Sequence, residues 1–415
     1  MRSIGVRRGW AGVSESGFAL RVWVVIGVGL LVRLILAFTT TGQAYDLQSF
    51  ALVDNALHAH VFGVYHQLDD YSVPPYGRWP YPPGLFPVIV AIGWIAHHTG
   101  IGFTHLIRVP AIVGDAAIAW LVQDFLGWRG ADEPTRLAAV ALVALGPSFI
   151  AISGYHGQID SIAFLPVVTA VILWTRTDAE WRPYAAGALI GIGAAIKTVP
   201  LVALLVLAPL ATSWREALKL CITAIVIPLA VFVPWLILDG PGKSLVWTYR
   251  GGPGLGGISL LTNPSLPLSA FGLGHATIAG LTKVVYDNAR WITGAALVAA
   301  TALLVRHRPP PVTAAVIIFL TVWTYGVTFF LQYMVWGLPF LIMAGYLREV
   351  LILQIALLPP TIVTYTYTTG ARTWEVWSLY TVPMIVIWIA LAVWTWLTGR
   401  QIVRRYPAHR VATAR

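Results

Sequence analysis

Apolar runs, each broken by a short polar or Pro/Gly-rich stretch, recur along the whole chain. Helices that cross a bilayer need such runs, because about twenty residues rising 1.5 Å each span a ~30 Å hydrocarbon core. The pattern predicts a first helix over 19–39. Further helices are expected near 104–127, 136–153, 161–175, 183–197, 199–212, 217–238, 289–305, 312–331, 335–347, 350–366 and 376–398. Residues 40–83 read as a long polar loop holding Asp46, Asp54, Asp69, Asp70 and a Pro/Tyr cluster. A loop of that length between packed helices is usually functional. The segment PGLFPVIVAIGWIAHH, 83–98, is apolar but reaches only roughly 22 Å as a helix, short of the core thickness.

Composition makes the class explicit. The chain has 415 residues, of which 58% are hydrophobic and 11% charged, whereas soluble domains carry about a quarter charged residues. This is the composition of a polytopic membrane protein. The net charge of +10 does not point to nucleic acid, because the basic residues are spread over short loops and both termini. Arg2, Arg7 and Arg8 place the N-terminus in the cytoplasm, and the 19 Trp suit interfacial anchoring. Sidedness also decides segment 83–98. If it lies along the membrane, fourteen of the 22 Lys and Arg after the first helix fall on the cytoplasmic side. A full crossing would reverse that bias.

The expected fold is therefore all-α, with about twelve transmembrane helices plus an interfacial helix in a long first outer loop. Residues 1–18 form a cytoplasmic N-terminus, and 19–238 a first module whose outer loop is 40–103. A second outer loop covers 239–288, C-terminal transmembrane helices 289–398, and a basic cytoplasmic tail 399–415. The first helix, lacking a clean cleavage site, is read as retained. Ala/Arg/Trp usage suggests a prokaryotic plasma membrane. The lone cysteine, Cys221, excludes an intrachain disulfide and a Cys-based metal site.

In this layout polar chemistry collects on the outer face. Asp46, in GQAYDLQSF with Tyr45 before it, is either a solvated loop acid or cap, or a carboxylate poised to take a proton from a hydroxyl. RWPYPPGLF, with Arg78 and Tyr81, is stiffened by three prolines and could wall a cleft. His156, Gln158 and Asp160, in GYHGQID, form either a helix-to-helix turn capped by Asp160 or part of a site. Three hydrogen-bonding side chains in five residues exceed what a cap needs. Lys197, in AAIKTVPL, either snorkels or holds a phosphate where a helix opens. Arg250, in TYRGGPGLGG with Tyr249, invites the same comparison. Gln332, Tyr333 and Trp336 read as a helix interface or a pocket wall. No HExxH, Cys-pair, GxSxG or GxxxxGK[ST] pattern stands out, which argues against zinc hydrolase, serine hydrolase and P-loop chemistry.

YDLQSF, YPPG, IRVPAIVGDAAI, GPSFIAISGYHGQID, IKTVPLVALLVLAP and LQYMVWGLPFL occur in this order over about 300 residues. Taken together they resemble the GT-C superfamily of membrane glycosyltransferases, above all its polyprenyl-phosphate-sugar-dependent branch. That branch includes the GPI first mannosyltransferase, the dolichol-pathway glucosyltransferases and bacterial relatives. The resemblance implies that Asp46 is the catalytic base. It also implies that Tyr45, Arg78, Tyr81, Arg108, His156, Gln158, Asp160, Lys197, Tyr249, Arg250, Gln332, Tyr333 and Trp336 bind substrate. Many relatives carry a second acid within two or three residues of the first. Here Leu47, Gln48 and Ser49 follow Asp46, so no metal and no cofactor is expected.

The expected reaction moves a hexose, mannose favoured, from a polyprenyl-phosphate donor to a hydroxyl of a glycan, glycolipid or protein acceptor, with inversion, on the outer face. A flippase or polysaccharide polymerase binds similar lipids and is the competing reading. A secondary transporter would show paired half-repeats and polar groups at mid-membrane, and neither is evident.

Overall fold

The structure is a computed structural model that describes residues 12–70, 79–240, 246, 256–262, 275–326, 331–367 and 374–408. Among them all regular structure is helical. The first half contains α1 (Gly12–Thr39), α2 (Ala44–Ala59), α3 (Val64–Asp70), α4 (Phe86–Thr99), α5 (Phe103–Leu106), α6 (Val109–Trp128) and α7 (Glu133–Ala144). It continues with α8 (Pro147–Phe149), α9 (Asp160–Arg176), α10 (Arg182–Ile196), α11 (Ala203–Leu207) and α12 (Trp214–Leu238). The second half adds α13 (His275–Asp287), α14 (Ala289–His307), α15 (Pro311–Tyr325), α16 (Met334–Met343), α17 (Leu347–Ala356), α18 (Leu358–Tyr367) and α19 (Trp374–Arg405).

Seven helical spans are long and apolar enough to cross a membrane: Gly17–Thr39, Phe103–Trp128, Glu133–His156, Trp214–Leu238, Ala289–His307, Leu347–Tyr365 and Leu379–Arg405. Length and composition alone do not reach the expected count of about twelve. The missing segments are helical but short. Helices α9 and α10 have 17 and 15 residues, and Val199–Leu210, Pro311–Tyr325 and Leu331–Met343 are shorter apolar helices. Proline and glycine punctuate these pieces, as at Lys197-Thr198-Val199-Pro200, where an extended residue and a 3-10 turn follow α10.

Apolar side chains gain little by leaving lipid for one another, so close backbone approach has to hold such helices together. The pair α10 and α12 illustrates this. Gly187 and Gly191, four residues apart, leave room on α10 for the backbone of α12. A Cβ on Gly187 would stand 2.6 Å from the Leu220 carbonyl, and one on Gly191 3.0 Å from that of Ala224.

The expected polar loop 40–83 is instead largely helical. Leu47, Phe50, Val53 and Leu57 recur at helical spacing and are buried in a core of their own with Tyr65, Trp79, Leu85, Phe86 and Ile89. The acids and amides between them occupy the rest of the helix surface, which lowers the average hydrophobicity and hides the period. Asp239, just past α12, accepts from the backbone N–H groups of Tyr65 (2.9 Å) and His66 (3.1 Å) and so anchors the start of α3. Segment 83–98 begins with a 3-10 turn at Pro83–Leu85 and continues as α4, ended by Gly100 at φ 71°.

Candidate active site

Residues at the ends of several membrane spans converge here. Asp46 follows the span Gly17–Thr39 and lies in the first turn of α2. His156 closes the span Glu133–His156, and Tyr365 closes Leu347–Tyr365. Lys197 stands immediately after α10.

His156 is presented by an irregular turn. The chain forms a π-helix over Ile150–His156, with the Gly157 N–H bonded to the Ile152 carbonyl at 2.9 Å. Gly157, at φ 85°, ends it in a conformation that side chains other than glycine's rarely adopt. The helix therefore runs past the residue 153 end expected from hydropathy. The wider turn brings His156 Nε2 onto Asp46 Oδ2, while Nδ1 meets the Tyr365 hydroxyl at 2.7 Å. The Asp46 side chain is 20% exposed and that of His156 7%, so the pair sits at the edge of the buried region with the carboxylate on the open side. Neither acid of the two motifs acts as a helix cap. The N-caps of α2 and α9 are Gln43 and Ile159, without side-chain caps, and Asp46 is directed to His156.

Burial pushes the Asp46 carboxyl up, but hydrogen bonds from His156 and Gln158 and the Lys197 charge hold it below the usual carboxylate range. If Asp46 is the base, the acidic limb of kcat/KM lies below the ordinary carboxylate range. An initial-rate series across pH checks this, and a limb centred above about pH 5 would point to another group.

Asp160 and Lys197 make the second half of the cluster. Asp160 is fully buried. Its Oδ1 accepts from Lys197 Nζ at 2.7 Å and from the Trp336 indole N–H, while Oδ2 has no hydrogen-bond partner among the described residues. The ammonium sits among three rings, 5.2 Å from the centroid of Tyr81, 5.9 Å from Tyr333 and 5.6 Å from Trp336. Tyr333 and Trp336 stack at 4.0 Å. Aromatic faces attract a cation that water cannot reach. Tyr81 also reaches Gln158 Oε1 at 3.5 Å, linking this box to the Asp46 side.

The other expected residues divide. Tyr45 is half-buried beside Asp46, and Gln332 is half-buried beside Tyr333. Arg108 is fully buried, and its guanidinium donates to the carbonyls of Thr104, Leu36, Gly154 and Thr40 and to the Thr40 hydroxyl, at 3.1–3.4 Å. It thus ties α1, α5 and the π-turn together. Arg78, Tyr249 and Arg250 lie outside the described residues.

Sequence reasoning missed two features. One is Tyr365, one of several Tyr and Thr residues in an apolar helix. The other is a buried network in which Arg33 Nε meets Asp115 Oδ2 and Ser153 Oγ, each at 3.0 Å, and Asp115 also accepts from Ser153 (2.6 Å) and Ser161. A lone Arg and a lone Asp in two separate apolar spans were the available signal, because ionised groups at that depth pair with one another.

A bundle of apolar spans with Asp46, His156, Asp160 and Lys197 gathered at helix ends defines a multi-pass membrane protein with a polar cluster there. Residues 79–329 match glycosyltransferase family 87. The chain belongs to that family, which is of the GT-C type of membrane glycosyltransferases. The match begins after Asp46 and ends before Trp336 and Tyr365. No curated protein matches the chain.

Proposed function

We propose that this glycosyltransferase moves a hexose, mannose favoured, from a polyprenyl-phosphate-linked donor to an acceptor hydroxyl at the outer face of the membrane, with Asp46 as general base. The observation that carries the reading is the pairing of one partly exposed, readily ionised carboxylate with a caged ammonium nearby. Asp46 takes the proton of the acceptor hydroxyl as that oxygen bonds to the anomeric carbon. The bond from the anomeric carbon to the phosphate oxygen breaks, and the lipid phosphate leaves with its electron pair. It needs a cation rather than an acid, and Lys197 has N–H groups beyond the one given to Asp160. Asp160 is fully buried and holds Lys197, so it is not a second carboxylate on the reacting carbon. Single displacement with inversion follows from one base and no nucleophile. No metal is required in this scheme. The basic termini support a reading with the N- and C-terminal ends in the cytoplasm and the site outside.

Purified protein in proteoliposomes, given polyprenyl-phosphate-mannose or -glucose and an acceptor glycan, should release polyprenyl phosphate. Transbilayer movement of the lipid without release would favour the flippase. Lys197→Met alone leaves the Asp160 carboxylate buried and unpaired, so the informative variant is Lys197→Met with Asp160→Asn. It should be folded and lose about 10²-fold in kcat/KM for the donor. Retention of wild-type kcat/KM would remove Lys197 from phosphate binding.

A further inference from the structure

We infer that Tyr365 is a positioning residue for the transfer, acting through His156 on Asp46. This inference rests on Asp46 being the base. An ionised carboxylate only accepts hydrogen bonds, so the nitrogen that meets it, His156 Nε2, carries a proton. The state of Nδ1 is then decided by Tyr365. Among the described residues Nδ1 is the one hydrogen-bond partner of the Tyr365 hydroxyl. Were Nδ1 protonated, it would donate to the phenol oxygen and leave the half-buried phenol hydrogen without an acceptor among the described residues, a costly arrangement. Donation from the hydroxyl to a bare Nδ1 satisfies both groups. Tyr365 therefore fixes a neutral, Nε2-protonated ring, in a chain of donors running Tyr365 to His156 to Asp46.

The chain is held mechanically as well. The Tyr365 ring lies 5.1 Å from the His156 ring and 5.4 Å from that of Tyr155, and the Tyr155 hydroxyl donates to the Tyr365 carbonyl at 3.3 Å. A neutral ring still donates its N–H and orients the carboxylate, but it does not confront Asp46 with a full positive charge that would weaken it as a base. Tyr365 neither touches substrate nor gives up its proton. The proton removed from the acceptor hydroxyl goes to Asp46, and His156 keeps its tautomer through the step. Residue 365 also lies beyond the family match at 79–329, so the C-terminal helices help to build the site.

The test is Tyr365→Phe, which keeps the ring and removes the hydroxyl, read in two ways. In proteoliposomes kcat should fall about tenfold while KM for the polyprenyl-phosphate-sugar donor stays unchanged. In ¹⁵N-histidine-labelled protein at neutral pH, the His156 signals are identified by their loss in His156→Gln. The wild type should show a bare Nδ1 and a protonated Nε2, and Tyr365→Phe should lose that single-tautomer signature. A wild-type spectrum with Nδ1 protonated overturns the proposal without any variant. So does Tyr365→Phe with unchanged kcat, or with reduced kcat and unmoved His156 signals. Asp46→Asn assayed in parallel separates the two readings. Full activity there removes the base itself, whereas an inactive Asp46→Asn beside a fully active Tyr365→Phe removes only the role of Tyr365.

Discussion

Asp46→Asn should lower kcat by about 10³-fold and leave donor KM within a few-fold of wild type. The amide has nearly the shape of the carboxylate and can still accept from His156 Nε2, so α2 and the π-turn keep their contact. It has no basic lone pair for the acceptor's proton. The contact with the donor phosphate, assigned to Lys197, is untouched, which is why the loss falls on kcat. Release of polyprenyl phosphate in proteoliposomes measures both constants, and a variant within fivefold of wild-type kcat would take Asp46 out of the base role. A loss confined to KM would instead make Asp46 a binding group.

The second large effect concerns folding. Both side chains of the Arg33–Asp115 pair are 2% exposed. Breaking a buried pair by removing one partner strands the other charge, at a cost of about 3–5 kcal/mol. Arg33→Met should therefore lose most of its folded protein in detergent, seen as a collapsed size-exclusion peak and a lower unfolding temperature. Arg33 also donates to the carbonyls of Gly29, Ala144 and Val143, so part of the loss comes from those unpaired acceptors. The paired change Arg33→Met with Asp115→Leu should recover much of the unfolding temperature, because no charge is left alone. It should not recover activity. Ser153 on the π-turn and Ser161 beside Asp160 both donate to Asp115, and without it His156 and Asp160 lose their common brace. Full activity in the paired variant would show that the network serves stability alone.

The fold was legible where hydrophobic period and length agree, as in α1, α6, α12 and α19. It was poorly legible in α2, whose buried face of Leu47, Phe50 and Val53 is masked by Asp46, Gln48 and Asp54 on the same helix. Of the site, Asp46, His156, Asp160, Lys197 and Trp336 could be named, because a polar residue in an apolar chain stands out. Their pairings could not, since His156 lies 110 residues from Asp46 and Trp336 lies 176 from Asp160. Tyr365 left no trace at all. A tyrosine in an apolar helix is ordinary, and only the partner of its hydroxyl distinguishes it. Arg108, expected from the resemblance to bind substrate, turns its donors to main-chain carbonyls and the Thr40 hydroxyl, which no local pattern announces.

The π-helix over Ile150–His156 makes segment length a functional quantity. A π-turn takes in one residue more than an α-turn, so the count of residues after Pro147 sets the angle at which His156 leaves the helix. Deleting any one residue between Phe149 and Tyr155 would let the segment close into α geometry and swing the imidazole by about 100° around the axis. Composition would hardly change and the span would stay apolar, yet Asp46 would face a different side chain. In this stretch the spacing itself is part of the address of the proposed active site.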